Sequence, residues 1–157
     1  MEAIAERAAV SKDTLYRWWG SSADVVLEAL AAYGEQVISV PDSGSLATDL
    51  RAFMRATSKA LDLPTRQLLR TLAARASADA TFAATVRERF LARRRAALQT
   101  ALDNAVARGE LSRERAATIL ELVFGSLWYR LIFDIGSLDR AWADATADTI
   151  TAAATQP

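Results

Sequence analysis

Ile4-Ala5-Glu6-Arg7-Ala8-Ala9-Val10-Ser11-Lys12-Asp13-Thr14-Leu15-Tyr16-Arg17-Trp18-Trp19 is the stretch from which the rest of the chain is read. Two short helices joined by a tight turn need apolar side chains where they touch. They also need a very small residue where they cross most closely. Ile4, Ala8, Val10, Leu15 and Trp18 supply the apolar set and Ala5 the small residue. Ala9-Val10-Ser11 makes the turn, and the Ser11 hydroxyl caps a second helix from Lys12 to Trp19. The opening twenty residues therefore read as a helix-turn-helix.

Outward from this unit the chain stays helical. Gly20-Ser21-Ser22 is the first break, and Ser21 with Asp24 has capping-box spacing. Val26, Leu27, Leu30, Tyr33 and Val37 then recur on roughly one helical face. Pro41-Asp42-Ser43-Gly44 is the clearest turn and the expected boundary between a domain over 1–40 and another over 41–157. Beyond it come a helix carrying Leu46 to Leu61, one opening at Pro64, and a long one from about Asp79 to Arg108 ended by Gly109. Ser112 caps another that ends near Gly136, and Ser137 caps the last, giving eight helices in an all-α fold.

Composition narrows the function. The 157 residues contain no Cys and no His, which removes thiolate and imidazole metal sites, cysteine nucleophiles and the Ser-His-Asp triad. The reading is of a protein that is not an enzyme and carries no metal or cofactor. Met1 to Arg7 lacks the pattern of a signal peptide. The most apolar run, Ala116 to Phe133, contains Glu121 and Arg130 and suits a buried helix better than a membrane span, so a cytoplasmic location is expected. Nineteen basic residues balance nineteen acidic ones, so bulk charge does not mark a nucleic-acid binder and any DNA contact rests on the local motif.

At Ile4 to Trp19, followed by Leu27-Glu28-Ala29-Leu30, the chain closely resembles the DNA-binding signature of the tetracycline-repressor-like (TetR) family. Phe124-Gly125-Ser126-Leu127-Trp128-Tyr129-Arg130 resembles the dimerising helix of one branch of that family. The resemblance implies a helix-turn-helix DNA-binding domain followed by a ligand-binding, dimerising helical bundle. It implies a ligand-responsive transcriptional regulator, a repressor by preference, that binds a palindromic double-stranded operator as a homodimer. The second helix would enter the major groove. Lys12 and Arg17 would reach phosphate or base edges, Thr14 a thymine methyl or a phosphate, and Tyr16 a phosphate; Ser11 would offer its hydroxyl and the helix N-terminus to the backbone. The alternative is a truncated dimeric protein that binds a ligand or sequesters a partner without touching DNA.

Three departures stand out. Ala9 occupies a turn position where the family usually has Gly, and Ser22 stands where many members have Lys. Family members also carry a further helix before the signature. A late start codon is the favoured expectation for its absence, ahead of trimming or loss of tight DNA binding.

In the second half, Phe53, Leu72, Phe82, Phe90 and Trp128 are candidates to line a cavity for a small apolar or aromatic effector, or simply to fill the core. Leu120, Phe124, Leu127 and Leu131 are expected on the outer seam of a helix that is apolar nearly all round, facing a second subunit. Arg87, Arg89, Arg93, Arg94 and Arg95 form a basic run that reads as a solvated surface.

Overall fold

Side-chain caps set where most of the helices begin. The computed structural model describes residues 1–155, and no strand occurs among them. Helix α1 (Glu2–Arg7) and α2 (Lys12–Trp18) are joined through Ala9, which takes a left-handed φ of 53°, and Ser11, whose Oγ accepts from the Thr14 amide at 3.1 Å. Ser21 caps α3 (Ser22–Val37): its Oγ accepts from the Asp24 amide and donates to the Asp24 carboxylate. The expected Ser21–Asp24 pairing is thus made through the serine hydroxyl in both bonds, and not through its backbone amide as in a full capping box. After a turn at Gly44, α4 (Leu46–Ala60) starts at the Ser45 cap, and α5 (Leu63–Ala78) starts at Asp62 with Pro64 in its first turn.

Asp79 caps α6 (Ala80–Val86), which passes through a π-turn at Arg87–Leu91 into α7 (Ala92–Ala107). Counted as one rod, these three segments match the long helix expected over 79–108, and bring the helices among the described residues to the expected eight. Helix α8 (Arg113–Phe133) starts at Ser112 and stops where Asp134 turns left-handed, two residues before Gly136. The cap of α9 (Arg140–Thr155) is Asp139, which accepts from the Trp142 amide at 2.9 Å, and not Ser137. An aspartate carboxylate at the correct spacing outcompetes a serine two residues too early.

One apolar core runs from α3 to α9, with Leu27, Leu50, Met54, Leu98, Leu102 and Leu131 among its fully enclosed side chains. Helix α9 lies along α4, tied by Arg55–Asp144 and Arg51–Asp148 ion pairs. Arg70 of α5 donates to the Leu131 carbonyl at 2.5 Å and to Asp134, pinning the end of α8. By length and hydropathy α8 alone among the described helices could cross a membrane; here it packs against α5, α7 and α9 of its own bundle.

The first two helices stand apart from this core. Ala5 and Leu15 are buried between them, as the helix crossing requires, and Ile4 is half-buried. Ala8, Val10 and Trp18, expected in the same contact, are exposed, with Trp18 open to 70%. Two helices of six and seven residues are too short to enclose more than the pair at their crossing.

Candidate DNA interface and effector cavity

Helix α2 presents one side outward because Leu15 anchors the other. Lys12, Tyr16 and Arg17 are exposed, as is Ser11, and Thr14 is half-buried. The Ser11 and Thr14 hydroxyls bond each other at 2.8 Å, and Lys12 pairs with Glu2 of α1. Arg17 sits in the last turn of α2. The five residues thus share one short helix and its cap, from which two cations and a phenol project into solvent.

A cavity opens in the core behind α3. Its walls come from Leu30, Tyr33 and Gly34 of α3, Phe53 and Thr57 of α4, Leu69 of α5, Phe90 and Arg94 of the π-turn and α7, and Phe124, Leu127 and Trp128 of α8. About 590 Å³ is free of atoms, its open mouth included. This slot is walled mainly by aromatic and aliphatic side chains. Phe53 and Phe124 meet edge-to-face across it, with ring centroids 6.2 Å apart.

Of the five residues proposed from sequence for a cavity, Phe53, Phe90 and Trp128 line this slot. Leu72 lines a neighbouring groove with Phe90 and Trp128. Phe82 lines neither: it is 4% exposed, and the Arg75 guanidinium lies 4.2 Å from its ring centroid. Its size suited either a core or a cavity, and the cation above it fixes it in the core.

The seam expected on α8 is corrected. Leu120, Leu127 and Leu131 are buried in the chain's own core, and Phe124 and Leu127 line the slot. The apolar side chains that α8 leaves in solvent are Leu122, Tyr129, Ile132 and Phe133, with Gly125 between them. Both sides of this helix are apolar, so spacing alone did not distinguish the inner stripe from the outer one.

The basic run is likewise corrected at one position. Arg87, Arg89 and Arg95 are exposed, and Arg93 pairs with Glu28 of α3 at 2.8 Å, which raises its guanidinium pKa. Arg94 is buried, and that burial lowers its pKa against the weaker pull of Glu35. Its neighbour across the packing is Gly34, whose missing side chain leaves room for the guanidinium. Arg94, Thr57 and Gly34 are the site residues that sequence reasoning missed.

No cluster of three or more acidic, His or Cys groups suited to a metal occurs among the described residues.

Residues 40–150 match the family model described as the tetracyclin repressor-like C-terminal domain. The chain is 31% identical over 135 residues to the uncharacterized HTH-type transcriptional regulator YdeS of Bacillus subtilis (strain 168), covering 84% of this chain and 67% of that protein. It is 30% identical over 133 residues to the regulator Rv1556 of Mycobacterium tuberculosis, covering 84% and 65% respectively. The chain thus spans about two thirds of the length of these relatives. The crystal structure of the TetR family transcription regulator SCO0332 superposes with a TM-score of 0.88 at 27% identity, over 96% of this chain and 84% of that one. The family match, the curated relatives and the shared fold agree: this chain belongs to the TetR family of transcriptional regulators, which act by binding DNA and not by catalysis.

Proposed function

We propose that the chain is a ligand-responsive transcriptional repressor, working in the cytoplasm as a homodimer on a palindromic operator. The observation that carries this is the position of α3. It follows the exposed recognition helix α2 directly, and Leu30, Tyr33 and Gly34 near its far end form one wall of the slot. A ligand that widens the slot displaces α3, and α2 moves with it. The Arg93–Glu28 pair and the packing of α3 on the π-turn make α3 responsive to the sensing bundle. On this reading residues 1–40 bind DNA and residues 41–157 sense and dimerise, with α3 shared between the two tasks.

Ser11, Lys12, Thr14, Tyr16 and Arg17 contact the operator. Two subunits place their α2 helices in successive major grooves, about one helical turn apart. The exposed apolar stripe of Leu122, Tyr129 and Phe133 on α8 supplies the dimer surface. Such a patch on a soluble chain marks an interaction site. A gel shift with the DNA upstream of its own gene, at fixed salt, tests the proposal. A shift that an effector reverses supports it; no shift leaves the dimeric ligand-binding protein without DNA contact.

A further inference from the structure

Several more accessible arginines of this chain meet carboxylates: Arg55 pairs with Asp144, Arg93 with Glu28, and Arg108 with Asp42 and Glu110. The buried one does not. Arg94 is 8% exposed, its Nη1 has no hydrogen-bond partner, and among the described residues it forms no ion pair. Glu35, the acidic residue that influences it, is engaged with Arg93 at 3.9 Å. Taking a guanidinium out of water without a partner is strongly unfavourable, so a buried arginine left unpaired calls for an explanation.

Thr57 repeats the anomaly. It is 8% exposed, and its Oγ1 is likewise without a partner. Both side chains line the slot, whose remaining surface is dominated by Phe53, Phe124, Trp128 and aliphatic groups. Gly34 holds the arrangement in place: a Cβ added there would lie 2.1 Å from Arg94 Nη1, so the guanidinium occupies the volume a side chain on α3 would take. Arg94 also borders a more open groove on its other side, along Ser39, Val40 and Asn104.

We infer that the slot takes an organic monoanion, a flat apolar or aromatic body bearing one carboxylate, with Arg94 as its counter-ion. The inference rests on the effector reading above and names the chemical class of the effector. The carboxylate supplies the acceptor that Arg94 Nη1 lacks, and Thr57 adds a hydroxyl donor on the cavity wall. The body lies against the rings of Phe53, Phe124 and Trp128, which favour an aromatic one. Because Arg94 lies against Gly34, the anion arrives at the contact between α7 and α3.

Calorimetric titration of the intact protein with 1-naphthoate, 1-naphthamide and 1-naphthylmethylammonium tests this without any DNA. The wild type should prefer the carboxylate over the amide by about tenfold or more, as expected for a charge-assisted pair, and bind the ammonium worst. Arg94→Met should erase the preference while the amide still binds; Arg94→Lys should restore part of it. Equal affinity for carboxylate and amide in the wild type overturns the anion assignment alone. Binding of none of the three overturns the cavity as an effector site as well. Loss of both neutral and anionic probes from an Arg94→Met protein with wild-type circular dichroism makes Arg94 a prop of the wall and also overturns it. Should Arg94→Met not fold, the wild-type ranking decides.

Discussion

Glu110, just beyond α7, accepts a hydrogen bond at 2.7 Å from the backbone amide of Leu46, the first residue of α4. It thereby satisfies one of the unpaired donors at the start of that helix. That bond, with a second from Arg108 at 2.5 Å, holds the Glu110 carboxyl below its ordinary value of 4.5. Asp144, through Arg55, and Asp139, through the Trp142 amide, are lowered in the same direction. A carboxyl lowered by folding stabilises fully above its unfolded pKa, and the contribution disappears as pH falls through the folded one. Thermal unfolding should therefore be insensitive to these groups from pH 7 to about 5 and shift to lower temperature below about 4.5. Glu110→Gln should lower the midpoint at pH 7 and flatten the acid limb. An unchanged acid limb would remove Glu110 from this role.

The turn of the helix-turn-helix is strained at Ala9, with φ at 53°. A left-handed Ala costs ~1–2 kcal/mol, and Gly gives back ~0.4–1 kcal/mol through the unfolded chain. Ala9→Gly should therefore stabilise the α1–α2 unit by roughly 0.5–1 kcal/mol. Amide exchange across residues 2–18 reads this directly; slower exchange is expected, and faster exchange would show that the turn is unstrained.

Two substitutions separate the faces of α8. Tyr129 is 57% exposed, so Tyr129→Glu should leave the fold within about 0.5 kcal/mol but convert a dimer to a monomer in sedimentation at micromolar concentration. Leu120 is 5% exposed, and Leu120→Glu should unfold the bundle by placing an unpaired charge in the core. A wild-type monomer, or a Tyr129→Glu dimer, would refute the dimer surface.

What the sequence revealed was local. Ser11, Ser21 and Ser112 act within three residues of themselves, and Pro64 and Gly109 act through their own backbone, so spacing alone located these helix ends. What it concealed was the choice between equivalent faces and the fate of a single charge. Helix α8 has apolar stripes on two sides, and only the shape of the bundle decides that Leu131 goes in and Phe133 stays out. Arg94 looked like its neighbours Arg93 and Arg95, because its burial depends on Gly34 of a different helix. Phe53, Phe90 and Trp128 were found as cavity residues because large rings at inward positions end up wherever a bundle leaves space.

Helix α2 is proposed to read a duplex through its exposed face. Fluorescence anisotropy with the duplex from upstream of its own gene, at fixed salt and against random-sequence competitor, tests it most directly. The wild type should bind sequence-specifically, and Arg17→Ala should lose ~1–3 kcal/mol, roughly 5- to 150-fold. Binding no tighter than to the competitor, or an Arg17→Ala protein with unaltered affinity, would contradict it.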